Sequence, residues 1–183
     1  MSRTPPSPSA LRVADLPQNA ETTFALRPDT DKLKSIADEL HLSTVRKLSF
    51  EGTVSALGQS DWQLKGRLGA TVIQPCVVTL EPVTTRIDVD VSRQYVSEFD
   101  EPEDPEVEMS ADDTTEALRQ WIDPAAVMLE VLALETPDYP RKSDAALDQA
   151  VFTKPGETPM TDEDARPFAG LAGLKQKLED DGA

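Results

Sequence analysis

Two residues of this chain could supply a nucleophile or a general base: His41 is its one histidine and Cys76 is its one cysteine. A general base needs a nucleophile or a carboxylate that the fold brings close, and nothing in the sequence indicates such a partner for His41. A nucleophilic thiol needs a base and an electropositive setting, whereas the neighbours of Cys76 are apolar. We therefore interpret His41 as a structural or surface residue and Cys76 as an inert, partly buried thiol.

Metal-binding chemistry has little support in the residue types. Tetrahedral zinc takes about four Cys or His ligands, and the chain has two such residues in total. Residues 98–116 carry ten carboxylates and no Lys or Arg, and carboxylate oxygens are ligands of Ca²⁺ and Mg²⁺. The segment lacks the alternating loop with a central glycine of an EF-hand, so we interpret it as a solvated charged loop. Walker A and GxGxxG sequences are absent as well, and we predict no catalytic residue and no cofactor.

A basic surface with an aromatic residue is the strongest indication of nucleic-acid contact. Lys65, Arg67, Arg86 and Arg93 lie on predicted strands near Trp62. A basic sheet face with aromatic rings can bind RNA by stacking. The same residues also fit the ordinary polar face of a half-buried sheet, because they include no paired aromatic motif and the chain has no net positive charge. Both interpretations stay open at this stage.

The charge of the chain is −16, and its distribution is uneven. Residues 1–97 hold 11 basic and 11 acidic residues, whereas residues 98–183 hold 7 basic and 23 acidic ones. An anionic surface repels phosphate backbones and attracts basic proteins. Any direct contact with RNA is therefore expected from the neutral N-terminal half.

In the N-terminal half, the spacing of apolar residues predicts strands and one helix, and these elements must position the residues described above. Strand-like runs at residues 11–16 and 22–26 precede a helix that begins at Asp29 or Thr30 and ends near Leu42. Strict alternation of apolar and polar residues then predicts an antiparallel meander. Its strands are expected over residues 48–56, 62–72 and 87–91, with a turn at residues 58–61.

The C-terminal half is expected to be mostly helix and loop. Asp123-Pro124 has the composition of a helix start, and the apolar residues 125–134 predict a buried helix that closes the sheet. A last helix is predicted from Arg166-Pro167-Phe168. The fold class is therefore α+β, an antiparallel β-sheet of about five strands with helices packed on one side, an acidic loop and a C-terminal helix.

The domain organisation follows from the same pattern. We expect a disordered N-terminus at residues 1–10, a core domain at 11–140 that includes the acidic loop at 98–116, and a linker with the final helix at 141–183. The N-terminus has no apolar secretory signal, and no apolar run reaches the roughly 18–20 residues that cross a bilayer. With one cysteine and no disulfide framework, the chain is expected to be cytoplasmic and without a membrane partner.

Two motifs carry a resemblance to a known family. Residues 66–83 read GRLGATVIQPCVVTLEPV, and residues 166–175 read RPFAGLAGLK. In the first, Cys76 matches the first cysteine of a Cys-x-x-Cys element, Thr79 replaces the second, and Leu80, Glu81 and Pro82 follow. The second, with Pro167 and Phe168, is similar to a C-terminal Pro-Phe-Ala-x-Leu signature. In this order the motifs resemble the YceD-like family, the large ribosomal RNA subunit accumulation proteins.

The resemblance implies a non-enzymatic role in the synthesis, processing or stability of large-subunit (23S) rRNA, without a small-molecule substrate. Some relatives carry extra cysteines that could bind a metal, whereas this chain has no cysteine after Cys76. The expected partners are the assembling large ribosomal subunit, rRNA or a basic ribosomal protein. The alternatives are an acidic chaperone-like binder of a basic protein with no direct RNA role, and a metal-dependent nuclease or hydrolase that uses carboxylates.

Overall fold

The protein is described by a computed structural model that covers residues 4–98, 114–146, 154 and 156. The architecture below belongs to the first of two units, Met1–Lys142; of the second, Ser143–Ala183, residues 143–146, 154 and 156 are described. The helix predicted from Arg166, with Pro167 and Phe168, lies outside the described residues, as do residues 99–113 of the acidic segment. Within the described part, no helix is long and apolar enough to span a membrane.

Seven strands and two α-helices make up the described part of the first unit. In chain order they are β1 (Leu11–Arg12), β2 (Thr22–Leu26), α1 (Thr30–Glu39), β3 (Thr44–Leu57), β4 (Asp61–Pro75), β5 (Pro82–Val96), β6 (Thr115–Ala117), β7 (Trp121–Ile122) and α2 (Pro124–Glu135). Strands β2 to β6 form one sheet in sequence order, and β1 pairs with β7 in a separate two-stranded ladder. The predicted α+β class, with an antiparallel sheet and packed helices, is confirmed.

Strands β3, β4 and β5 form the predicted meander, and each is longer than the sequence pattern indicated. Position 66 of β4 lies opposite Gly52 of β3 on one side and Val91 of β5 on the other. The β3–β4 register shifts between Arg46 and Ser49, where Lys47 has a φ of 50°. A bulge of this kind bends and twists the strand, and it interrupts the regular alternation at the start of β3.

The end of the acidic segment was predicted to be loop and is instead strand β6, which pairs parallel to β5. The amide of Gln94 donates to the carbonyl of Thr114 at 2.7 Å, and the amide of Leu118 donates to the carbonyl of Val96 at 2.7 Å. These bonds satisfy backbone groups at one edge of the sheet, and so they order a stretch whose composition favours solvent.

The N-terminal residues also differ from the prediction. The strand expected over residues 11–16 covers Leu11–Arg12 alone, because a short 3₁₀ turn at Val13–Asp15 follows immediately. Residues 1–10 were expected to be disordered, yet residues 4–10 are described and two of their serines bind Asp123. The hydroxyl of Ser7 donates to Oδ1 of Asp123 at 2.7 Å, and that of Ser9 at 3.4 Å.

The core lies on one face of the sheet. The alternate side chains of β3, β4 and β5 that point towards α1 and α2 form one buried cluster with the apolar residues of both helices. Helix α2 begins as predicted, with Pro124 as its first residue and the Asp123 carboxylate accepting from the amide of Ala125 at 2.9 Å. The side chains that alternate with them along each strand are mostly polar and lie on the other face of the sheet, which we call the open face.

Two glycines opposite each other in β3 and β4 make room for aromatic packing within this core. Gly52 and Gly66 are cross-strand partners, and the rings of Phe24 and Phe50 cover them with centroids 5.0 Å apart. A Cβ atom at Gly52 would collide with the backbone oxygen of Lys65, and it would lie 2.6 Å from the Cα of Gly66. The backbone approach at this point therefore requires glycine.

We expect Gly52→Ala to lower the free energy of unfolding by about 2 to 3 kcal/mol, since overpacking against backbone atoms cannot be relieved by a rotamer change. The matched control is Gly69→Ala on the open face, where the new Cβ meets the flexible end of Arg86. That change is expected to cost less than Gly52→Ala, because the end of a side chain can move aside and a backbone atom cannot. Urea denaturation of both variants measures the difference, and equal losses would contradict the role assigned to Gly52.

Candidate functional site

The turn between β4 and β5 carries the residues of the first family-like motif. In this stretch, residues 76–81 and called the Cys76 turn below, the amide of Cys76 donates to the carbonyl of Glu81 at 2.7 Å. The amide of Leu80 donates to the carbonyl of Cys76 at 2.9 Å. Leu80 has a φ of 60°, in the left-handed region that non-glycine residues seldom adopt. Backbone hydrogen bonds thus fix a tight and unusual conformation at the end of the sheet.

Residues 137–142, which directly follow α2, are bound to the Cys76 turn and the end of β4. The side-chain amide of Gln74 donates to the carbonyl of Pro137 at 3.0 Å, and the amide of Val77 donates to the carbonyl of Pro140 at 2.9 Å. An ion pair of 2.7 Å joins Lys142 Nζ to Glu81 Oε2. We call residues 137–142 the proline strap, because these three contacts fasten it to the turn.

The sulfur of Cys76 lies inside this arrangement, where its surroundings lower its pKa. The residue is fully buried, which by itself raises the pKa of a thiol. The hydroxyl of Thr79, the amide of Lys142 and the amides of Thr79 and Val78 all donate hydrogen bonds to the sulfur. Together they outweigh burial and lower the pKa of Cys76 from 9.0 to about 6. The surroundings of the sulfur therefore include more hydrogen-bond donors than its apolar neighbours in sequence suggested.

The residues around Cys76 do not fit a metal site. One sulfur is present, Thr79 stands where a second thiolate would be needed, and the groups directed at the sulfur are hydrogen-bond donors rather than ligands. Among the residues described, no three His, Cys, Asp or Glu side chains come together in a way that could hold a metal ion.

Large apolar side chains stand exposed on the turn and the strap. Leu80 is 78% exposed, Tyr139 is 82% exposed and Val77 is 51% exposed. The amide of Val77 bonds to Pro140, the neighbour of Tyr139, so these exposed residues lie on two segments that contact each other. We call these three side chains the apolar tip. The sequence analysis missed Val77 and Tyr139, although apolar residues among prolines in a turn were a signal that could have found them.

The basic residues predicted to contact RNA or a partner do not lie on one surface. Lys65, Arg67 and Arg86 share the open face of the sheet. Arg86 bonds Asp88, with a nitrogen–oxygen distance of 2.6 Å, and Arg67 lies 3.9 Å from Asp90. Carboxylates therefore neutralise the two arginines, while Lys65 has no ion-pair partner in the part of the chain that the structure describes. A role for these three residues in RNA contact stays a prediction.

Trp62 and Arg93 were predicted to lie beside Lys65, Arg67 and Arg86. They lie instead on the opposite, core-facing side of the sheet. Trp62 is 2% exposed, so its ring is not available to stack on a base. The side chain of Arg93 is 12% exposed and bridges two carboxylates, Glu130 of α2 at 2.6 Å and Glu116 of β6 at 3.4 Å. Burial, followed by the nearby Glu130, raises the pKa of Glu116. Arg93 thus holds α2 and β6 against β5.

The pKa of Cys76 gives a direct test of its environment. We expect Thr79→Val to move the midpoint of thiolate formation from about 6 towards 9.0, because the largest of the stabilising hydrogen bonds is lost. Thiolate ultraviolet absorbance reports this one group, since the chain has a single cysteine. Thr53→Val, on the open face, is the control and should leave the titration unchanged.

The same ionisation affects stability in a defined direction. The folded-state pKa lies below the unfolded-state value, so the contribution is complete above pH 9.0 and is lost as the pH falls towards about 6. Thr79→Val should therefore flatten the rise in the free energy of unfolding between these pH values. A wild-type thiol that titrates at its ordinary value would refute the hydrogen-bonded thiolate.

Comparison with known proteins identifies the family. The sequence profile of the family described as "Large ribosomal RNA subunit accumulation protein YceD" matches residues 64–175, more than half of the chain. The matched segment contains the Cys76 turn, β5, α2 and the proline strap. No curated protein and no solved structure matches the chain. The resemblance carried by Cys76, Leu80, Glu81 and Pro82 is confirmed, and the chain belongs to the YceD family of large ribosomal RNA subunit accumulation proteins.

Proposed function

We propose that this protein is a cytoplasmic, non-enzymatic factor that supports the synthesis, processing or stability of large-subunit (23S) rRNA during ribosome assembly. The observation that carries the proposal is the family match over residues 64–175, whose description names accumulation of the large ribosomal RNA subunit. The apolar tip is the surface through which the protein meets its partner in the assembling particle. It is built on Leu80 and on the strap that Glu81 holds, at the position of the family motif.

The geometry of the apolar tip supports a role in binding. Its side chains are exposed, and their backbones are held by hydrogen bonds of 2.9 Å at Val77 and at Leu80. A surface that is already ordered loses little conformational entropy on association, and exposed apolar clusters with a polar rim are typical of interaction sites. The ion pair between Glu81 and Lys142 supplies part of that rim.

The two residues that could serve catalysis are placed in ways that favour a binding role. Cys76 is buried, and its sulfur accepts several hydrogen bonds, so a substrate would have to displace both the strap and these donors. His41 lies at an exposed position after α1, with a φ of 54°. A catalytic base is normally oriented by a third group, and no hydrogen bond to His41 is formed by side chains of the described residues.

Complementation tests the apolar tip as a functional surface. In cells lacking this protein we expect the ratio of large- to small-subunit rRNA to fall, and the wild-type chain to restore it. The double variant Leu80→Asn with Tyr139→Ser should fail to restore the ratio. Asn tolerates the left-handed conformation at position 80, so the turn is preserved while the apolar surface is lost.

The control for this experiment is Leu57→Ser, which removes an apolar side chain that is 38% exposed at the other end of the β3–β4 hairpin. It should restore the ratio as the wild-type chain does, at equal protein level. An unchanged ratio in cells lacking the protein would overturn the role in rRNA accumulation. Full restoration by the double variant would overturn the role of the apolar tip and leave the role in rRNA accumulation standing.

A second function, that of an acidic chaperone-like binder of a basic ribosomal protein with no direct RNA role, is favoured by the charges. Residues 98–183 hold 23 acidic and 7 basic residues, and such a surface attracts basic proteins and repels RNA. On the open face, Asp88 and Asp90 lie beside Arg86 and Arg67, so the predicted RNA-binding residues offer little net positive charge.

Direct binding measurements separate the two functions. Immobilised full-length protein is presented with a transcript of large-subunit rRNA and, separately, with a purified basic ribosomal protein of that subunit. Retention of the basic protein alone, with affinity that falls steeply as salt rises, is expected for the acidic binder. Retention of RNA that is lost on the triple change Lys65→Glu, Arg67→Glu and Arg86→Glu would instead support direct RNA contact and count against the second function.

A further inference from the structure

The outer edge of β5 has no strand partner along most of its length. On one side β5 pairs with β4 from Pro82 to Tyr95, and on the other it pairs with β6 from Gln94 to Val96 alone. Within the part of the chain that the structure describes, residues 83–92 therefore present unpaired backbone groups along one edge of the sheet. A long edge of this kind is a template for pairing with another strand unless the chain blocks it.

The direction of the backbone groups on this edge follows from the contacts with β6. Gln94 donates its amide towards Thr114, and Val96 accepts at its carbonyl from Leu118, so both residues point their backbone groups outwards. Backbone groups alternate sides along a strand. Even-numbered residues therefore direct both donor and acceptor away from β4, and on the free part of the edge they are Thr84, Arg86, Asp88, Asp90 and Ser92.

The side chains along the edge are self-complementary about Ile87. In an antiparallel pair related by a two-fold axis at Ile87, Arg86 of each copy lies directly opposite Asp88 of the other. On the core-facing side the same register places Ile87 opposite Ile87, Thr85 opposite Val89, and Val83 opposite Val91. Opposite charges and β-branched residues in directly facing positions stabilise a strand pair. Both faces of the strand thus favour the same alignment.

Three neighbouring two-fold alignments with the required backbone phase place like charges together. An axis at Arg86 sets Arg86 against its own copy. An axis at Asp88 sets that carboxylate against its own copy, although it also brings Arg86 opposite Asp90. An axis at Val89 brings Asp88 opposite Asp90 on both sides. Like charges in directly facing positions are destabilising. Among the centres from position 86 to position 89, charge therefore favours Ile87.

We propose that two copies of this chain associate through the free edges of β5, in antiparallel alignment about Ile87, and join their sheets into one continuous sheet. Residues Thr84, Arg86, Asp88 and Asp90 of each copy would exchange about eight backbone hydrogen bonds. The inference concerns oligomeric state and does not rest on the proposed function.

A hollow beside the edge, lined by both apolar and polar residues, fits the second copy. It has a volume of about 300 Å³, and Val89, Val91 and Val131 line it together with Leu134, which is 72% exposed although apolar. The proposed register brings Val83 of the second copy opposite Val91, at the mouth of this hollow. Pairing would therefore cover apolar surface that the described part of one copy leaves open to solvent.

Charge reversal tests both the surface and the register. Sedimentation equilibrium of the full-length wild-type chain should show a concentration-dependent dimer. Arg86→Asp and Asp88→Arg should each raise the dissociation constant by at least about tenfold, since each creates two like-charge pairs about the axis. The double variant Arg86→Asp with Asp88→Arg restores opposite charges across the axis and should regain the wild-type constant. Lys65→Asp, on the adjacent strand opposite Ser92, is the matched control and should have no effect.

A backbone variant separates edge pairing from other contacts. Asp90→Pro removes an outward amide without touching the ladder with β4, and it should abolish the dimer while the urea midpoint at low protein concentration stays near that of the wild type. A wild-type chain that sediments as a monomer at all concentrations would overturn the proposal. So would a dimer that is insensitive to both single charge reversals, or a double reversal that fails to restore it.

Discussion

Helix α2 has almost no polar surface of its own, and the rest of the structure is arranged around burying it. Between positions 125 and 134 its one charged residue is Glu130, and Val127, Met128, Val131 and Leu132 are all buried. Each such side chain contributes about 1.5 to 3 kcal/mol on burial, so the helix needs an apolar sheet face of matching size. Arg93 meets the carboxylate of Glu130 at 2.6 Å, which ties the exposed, charged position of the helix to strand β5.

Burial of α2 also determines where the candidate site forms. The proline strap follows the helix directly, so the docking of α2 brings Pro137, Pro140 and Lys142 to the end of the sheet. There they complete the surroundings of Cys76, whose sulfur takes one of its hydrogen bonds from the amide of Lys142. The ion pair from Lys142 to Glu81 spans 61 residues of sequence. The family motif at the turn and the apolar helix are thus two parts of one structural arrangement.

Local patterns predicted much of this fold because the elements bury one side at a regular period. Strand β2 and the start of α2 at Asp123-Pro124 agree with the prediction residue by residue. The predicted basic patch mixed the two sides of the sheet, although Trp62 and Lys65 differ in parity on one strand and therefore point to opposite faces. Arg93 and Arg86 likewise occupy odd and even positions of β5, so their side chains point to opposite faces. The ion pairs of Arg93, however, involve carboxylates from two other elements, which the pattern of β5 alone does not reveal.

Contacts between residues that are far apart in the sequence could not be predicted from local patterns. Two of the three residues of β6 are polar and the strand follows a run of carboxylates, yet it forms because the edge of β5 offers hydrogen bonds. The low pKa of Cys76 depends first on the nearby Thr79 hydroxyl and also on the amide of Lys142, which no local signal in the sequence connects to the turn. The pairing of β6 and the bond from Lys142 both involve backbone groups, which carry no side-chain signature.

The late position of α2 in the chain has a consequence for synthesis on the ribosome. Strands β2 to β5 emerge first, and their apolar face stays uncovered until residue 135 has left the exit tunnel. The hydrogen bond from Ser7 to Asp123 spans 116 residues, so it can form only after Asp123 has been synthesised. Contacts of such long sequence separation form slowly, and exposed sheet surface aggregates readily in the interval. The chain is therefore expected to be most prone to aggregation in the interval before α2 has been synthesised.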